Sequence, residues 1–468
     1  MIMRVCELEN FNIAQGFAAA ARHPYSLLLD SADRKHPNAR YSFAMWHPVE
    51  MIETRDGRIT ITNAAQQTTL SRDPFRLVQE RLNAWGAGRE TRADLPPFQG
   101  GAAGFFGYDL ARGLEDLPSR AAQNRDMPDM AIGIYLQVLA CDHRTGQAWL
   151  ITHGSDAEDA LIREHAGRKL LTAPIKPDTE AAGPLAWTPR LSPAAFEKDI
   201  AKIIAAIHAG DIFQANLAQR FDALLPPDFD AFAHYCQLRQ VNPAPFAGFF
   251  NLGAVTIASA SPERFLQVKD GMIETRPIKG TRPRRTDTKA DQAERTALLN
   301  SAKDRAENTM IVDLLRNDLS KVCTADSIEV TDLCKLESFA SLHHLVSTVQ
   351  GRLRPDQTAL DALRACFPGG SITGAPKIRA MEIIEELEPT RRGPYCGAMG
   401  YIGFDGAMDT NILIRTLVYS GRHVSLQAGG GITAESDPAR EVQETLDKAA
   451  AMFRSFELQI SSYKKASH

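Results

Sequence analysis

The chain has 468 residues, 44% of them hydrophobic and 24% charged, with a formal net charge of -4 at pH 7. That composition suits a globular protein with a large core and leaves no room for a mostly disordered chain, while the length suggests two or three domains or one intergrown unit. The negative balance argues against nucleic-acid binding, no apolar run is long enough to cross a bilayer, and acids sit where a secretory signal would be apolar, so a cytoplasmic location is expected.

In chain order, strand-like runs fall at 25–30, 59–63, 132–140 and 147–152, with helical patterns at 74–85 and 157–171. Gly100 to Asp109 is glycine-rich but lacks the lysine of a phosphate loop, and reads as closely packed strand backbone. A proline- and glycine-bearing stretch without periodicity reads as a linker at 176–192, separating an N-terminal region (1–175) from a catalytic region (193–462). Ser192-Pro193 then opens a helix with the apolar stripe Phe196, Ile200, Ile203, Ile204 and Ile207, ending near Gly210. Further strands are expected at 213–221, 256–260, 264–269, 401–404, 410–419 and 423–428, with long helices at 302–319 and after Asp437-Pro438. Hairpins and helices without a regular strand-helix-strand order favour α+β. The 7 cysteines are scattered and never paired as Cys-x-x-Cys, which supports neither a disulfide framework nor a thiolate zinc site.

Lys279 stands among Arg276, Arg282, Arg284 and Arg285, whose like charges are expected to disfavour its ammonium form, with any burial acting the same way, and so to leave a free amine for covalent chemistry. The same cluster equally describes a solvated basic loop. Asp304 and Glu307 share one helix face, and Glu441 and Glu444 another, a spacing suited to a hard divalent cation or to ordinary pairs with Lys303, Arg305, Arg440 and Lys448. Gly429, Gly430 and Gly431 lead toward the last helix, where bare amides could receive an anion or simply form a flexible connection. Ser371 to Lys377 has similar character: a glycine turn with hydroxyls before a helix start. Arg415, among apolar neighbours in a strand, is either paired internally or reaches a cleft to fork onto a carboxylate. His344 reads first as a satisfied core histidine, and Glu263 as a strand-loop glutamate.

Six separated motifs, Ser261-Pro262-Glu263, Pro277-Ile278-Lys279-Gly280-Thr281, Asp304-Arg305-Ala306-Glu307-Asn308, 311–318, Ser371-Ile372-Thr373-Gly374-Ala375-Pro376-Lys377 and Glu441-Val442-Gln443-Glu444-Thr445, together resemble the chorismate-utilising enzymes in the family order. Lysine at 279 resembles the branch that forms aminodeoxychorismate for folate; the anthranilate-forming branch carries alanine there. The resemblance implies a two-layer sandwich of antiparallel sheets surrounded by helices, with the active site in the cleft between the sheets. It implies Mg2+ held by Glu307 and Glu444, with Asp304 and Glu441 acting through water, against the ring carboxylate of chorismate. It implies Lys279 as nucleophile at C2 and Glu263 as general acid, with Thr281, His344, Thr373, Tyr395, Arg415 and Gly429 to Gly431 lining the substrate pocket. The chain lacks a Gly-x-Cys-x-Gly glutaminase elbow, so a separate glutaminase subunit is the expected ammonia source. An anthranilate-forming component and a non-catalytic chorismate-binding subunit are the alternatives.

Overall fold

The computed structural model describes residues 2–9, 11–123, 126–173, 183–338 and 342–457, so residues 176–182 of the expected linker lie outside the described part. The described strands form two sheets of twelve, and every paired strand in them runs antiparallel to its neighbour. The first sheet starts from five N-terminal strands, Ile2–Leu8, Gln147–Gly154, Gln137–Asp142, Tyr41–Met45 and Ser26–Asp30. It continues through Phe246–Asn251, Val255–Ser261, Thr416–Ser420, His423–Ile432 and Gln214–Leu224. The second runs from Ile278–Pro283 and Leu342–Arg352 through Met272–Thr275, Arg264–Lys269, Met408–Ile412 and Ala398–Gly403 to Gly101–Phe106, Met130–Tyr135 and Glu50–Arg55. This is the α+β sandwich that the resemblance implied.

Its layers follow from alternation. A core of Leu27, Phe43, Phe105, Tyr135, Phe250, Met399 and Leu413 fills the space between the sheets. Outside the second sheet, the helices Pro74–Gly86, Ala302–Ser320 and Ala359–Cys366 bury Phe75, Val312 and Leu360. Outside the first, Ala231–Val241 and Pro438–Arg454 bury Tyr235, Ala449 and Met452. The expected helix start at Ser192 is present: its side chain accepts from Ala195 N at the head of Pro193–His208. Gly101 and Gly104 make the glycine-rich run a strand, because a Cβ at either would meet the Ile402 or Ala131 carbonyl oxygen at 2.2 and 2.1 Å. All 7 cysteines are free, and no described helix is long and apolar enough to cross a membrane.

Two expected strands prove to be pairs. The run at 132–140 is Met130–Tyr135 in the second sheet and Gln137–Asp142 in the first, and 410–419 is Met408–Ile412 in the second and Thr416–Ser420 in the first. Continuous hydrophobicity does not distinguish one long strand from two that cross between layers, since both stay buried throughout. The second of these crossings builds the site.

Candidate active site

Two corners meet at the mouth of the sandwich. Val255–Ser261 leaves the first sheet and becomes Arg264–Lys269 of the second, while Met408–Ile412 leaves the second and becomes Thr416–Ser420 of the first. The corners are tied by Ile412 N donating to Glu263 O (3.0 Å), Ala260 N donating to Arg415 O (3.0 Å), and Ser261 Oγ donating to Ile412 O (2.6 Å). Arg415 is therefore not within a strand as expected. It turns the corner with φ of 51°, a left-handed conformation that non-glycine residues adopt only when the surroundings enforce it. Among the described residues no carboxylate lies within hydrogen-bonding reach of its guanidinium. Glu263 and Arg415 are thus buried ionisable groups on the two tied corners, and each acts electrostatically on the other.

Lys279 approaches the same corners from the edge strand Ile278–Pro283. Its Nζ donates to Ser371 O (3.4 Å), and Ser371 Oγ donates to Glu263 Oε1 (2.9 Å). Burial lowers the Lys279 pKa below the usual lysine range; the carboxylates of Glu307 and Glu263 oppose this, and Lys448 reinforces it. Of the two expected causes, burial acts and the arginine cluster does not. The four arginines are each paired with an acid, Arg276 with Glu337, Arg282 with Asp304, Arg284 with Asp291 and Arg285 with Glu294, so desolvation and Lys448 act where arginine repulsion was expected. Burial also raises the Glu263 carboxyl above its usual range, against the pull of Lys279, the Ser371 hydroxyl and Arg415. A carboxyl shifted upward and an ammonium shifted downward, linked through Ser371, are suited to proton donation and nucleophilic attack.

The four acids converge from two helices. Gly280, at φ of 69°, forms a bulge after Lys279, and a Cβ there would stand 2.9 Å from Asp304 Cβ. A Cβ on Gly430 would stand 3.4 Å from Glu441 Oε2 and 3.6 Å from Glu444 Oε1. One glycine in each sheet thus lets a carboxylate-bearing helix approach closely. Burial raises the Glu307 and Glu441 carboxyls; Asp304 and Glu441 add to the first, Glu444 to the second. Burial works upward on Glu444 as well, yet the Lys448 ammonium at 2.7 Å holds it low. Ser436 Oγ fixes Glu441 Oε1 at 2.7 Å. Among the described residues no three His, Cys, Asp or Glu side chains form a closed metal cage. An all-oxygen donor set of mutually repelling carboxylates without a cage is compatible with magnesium, which takes one or two carboxylates and keeps water or substrate oxygens.

The remaining expected residues are placed unevenly. Thr281 Oγ1 and His344 Nδ1 lie 2.9 Å apart across neighbouring strands, and burial with Arg415 pushes the His344 pKa down to about 4. Thr373 is fully buried and its hydroxyl donates to Gly369 O (3.0 Å), so that proton serves the turn itself. Tyr395 is buried under the corner, 5.7 Å from the Arg392 guanidinium. Gly429, Gly430 and Gly431 lie inside His423–Ile432, paired with Ala218, Leu217 and Asn216, and not at a helix start as expected. Their smallness serves close packing: Lys448 Nζ donates to Gly429 O (3.0 Å) and a Cβ on Gly431 would strike Gln214 Nε2. Ser371, Lys448 and Ser436 were not singled out for the site. Lys448 was visible as the i+4 partner of Glu444; the contacts of Ser371 depend on a turn that no local pattern specifies. A separate cavity of about 1230 Å3, lined by Asp30, Arg264, Glu274 and Asn411 among others, holds none of the expected site residues.

A buried amine, a buried acid and two carboxylate-bearing helices brought together by the sandwich are the groups an enzyme site uses. The chain belongs to the chorismate binding enzyme family, whose model matches residues 25–454. It is 43% identical to aminodeoxychorismate synthase component 1 of Salmonella typhimurium over 93% of this chain and 94% of the relative. It is 39% identical to anthranilate synthase component 1 of Thermus thermophilus over 94% of each. The crystal structure of anthranilate synthase component I from Streptococcus pneumoniae superposes with a TM-score of 0.79 at 34% identity, covering 90% of this chain and 93% of that one.

Proposed function

We propose that this chain converts chorismate and ammonia into 4-amino-4-deoxychorismate, an amino-group transfer that feeds p-aminobenzoate and folate synthesis in the cytoplasm. The observation that carries the reading is Lys279, whose amine donates to Ser371 O while the Ser371 hydroxyl donates to Glu263. The similarity to aminodeoxychorismate synthase component 1 supports it. Ammonia is supplied by a separate glutaminase subunit acting on glutamine.

The Lys279 lone pair forms a bond to ring C2, the ring electrons shift, and the C4–O bond breaks as Glu263 gives its proton to the departing hydroxyl, releasing water. The new secondary ammonium and the Glu263 carboxylate balance in charge. Ammonia then bonds at C4, the electrons shift back, and the C2–N pair returns to Lys279. Arg415 orients a substrate carboxylate as a fork, and neutral His344 with Thr281 offers a hydroxyl-imidazole pair to the ring substituents. Glu307 and Glu444 would hold magnesium, with Asp304 and Glu441 through water; when bound it supplies positive charge against the ring carboxylate.

The purified chain with chorismate, magnesium and ammonium salts should release aminodeoxychorismate, and should use glutamine only after an amidotransferase subunit is added. Anthranilate as product would overturn the branch assignment, and no turnover would leave a binding subunit. Lys279→Ala should lower turnover by ~1,000-fold or more with the fold intact. Near wild-type turnover in that variant would exclude the covalent route.

A further inference from the structure

The structure assigns Ser371 as the positioning residue that selects which oxygen of Glu263 donates the proton and that aligns the acid with the nucleophile. This rests on the reaction proposed above. One residue contacts both reacting groups: its hydroxyl donates to Glu263 Oε1 at 2.9 Å and its carbonyl accepts from Lys279 Nζ at 3.4 Å. No other described residue hydrogen-bonds to both.

The turn that carries Ser371 is held from three directions. Gly370 is pressed against Leu314 of Ala302–Ser320, where a Cβ would come within 2.4 Å. Arg392 Nη1 donates to Ile372 O (3.0 Å), and Thr373 Oγ1 closes the turn on Gly369 O. Lys377, just beyond, donates to the buried Asp318 Oδ2 (2.6 Å) and to Cys366 O (3.1 Å). The helix that presents Asp304 and Glu307 thereby also fixes the serine that presents Glu263. A hydroxyl held this firmly is a directional donor, not a mobile one.

The chemistry follows from the direction of that bond. With Oε1 accepting from Ser371, the carboxyl proton belongs on Oε2, so the acid is presented in one orientation. When that proton passes to the leaving hydroxyl, Glu263 becomes a carboxylate, and the same serine bond becomes charge-assisted and stronger. The bond therefore favours the transition state over the ground state, which places its effect in kcat.

The test uses the full chain with ammonium, comparing Ser371→Ala and Ser371→Thr with wild type while free ammonia is held constant at every pH. Ser371→Ala should lower kcat about 10- to 100-fold with little change in KM, and Ser371→Thr, which keeps the hydroxyl, should recover most of it. The groups facing Glu263 are Lys279, Arg415 and Cys396 besides Ser371; with those retained, loss of a bond that favours the carboxylate should move the alkaline limb of kcat to higher pH even as the rate falls. A structural role alone would leave that limb in place. An unchanged kcat, an unmoved limb, or loss that threonine fails to restore would each overturn the assignment. Failure of the wild-type chain to form aminodeoxychorismate would instead reject the reaction itself.

Discussion

At the scale of single residues, burial moves two groups in opposite directions, the Lys279 pKa down and the Glu263 pKa up, as the proposed reaction requires. The acids nearby differ in what they touch, and their proposed roles follow those contacts. Glu307 faces Lys279 and Lys303, whereas Glu441 is anchored to Ser436 and Asp304 lies against Gly280. Glu307→Gln or Glu444→Gln should raise the magnesium requirement more than Asp304→Asn or Glu441→Gln, whose changes should be ~10-fold as for outer-sphere partners. Magnesium titrations that give one common dependence for all four would refute the division. Most of these residues were legible in the sequence, because i,i+3 acids on helices and a lysine between proline and glycine are local patterns. Burial is one expected reason for the lysine's perturbation, but the weight of each cause was not legible. Sequence places the arginines beside it, but only the fold reveals that each has an acid and that Lys448 arrives from another helix.

At the scale of elements, the carboxylates come together because helices approach strands that lack side chains at the point of contact. Gly280 serves twice, since its left-handed φ makes the bulge after Lys279 and its missing Cβ admits Asp304. Gly280→Ala should cost about 1–2 kcal/mol from the left-handed backbone alone, measured as a lowered denaturation midpoint, and should also raise the magnesium requirement by displacing Ala302–Ser320. A variant with wild-type stability and wild-type magnesium response would remove this role. Helix positions were read well from caps and stripes, as at Ser192 and Asp437. Strand crossings were not, because Leu413 and Leu136 are as buried at a corner as they would be mid-strand. The corner at Arg415 therefore appeared as an arginine inside a strand, and the triple glycine as a loop.

At the scale of the whole molecule, each sheet is joined from two blocks at a single seam. The N-terminal block meets the rest where Ser26–Asp30 pairs with Phe246–Asn251, and where Gly101–Phe106 pairs with Ala398–Gly403. Aromatic pairs such as Phe105 with Phe250 and Phe98 with Tyr401 cross the same division. Cutting the chain between 173 and 183 should consequently give two pieces that are unstable or aggregated when made separately and that associate when made together. Two separately folded, monomeric fragments with cooperative melting would show that the seams are dispensable.

The seam at Gly101–Phe106 has a consequence during synthesis. All six of its residues are buried in the finished protein, yet their partner strand Ala398–Gly403 is about 300 residues further along. At ~5–20 residues per second, translation leaves that apolar edge without its neighbour for roughly 15–60 s. An unpaired, hydrophobic strand edge is a template for association with other chains. The yield of this protein in a cell is thus set partly by what shields a nascent edge during that interval, a selection pressure that acts before the cleft exists and that favours rapid elongation or an early-binding chaperone.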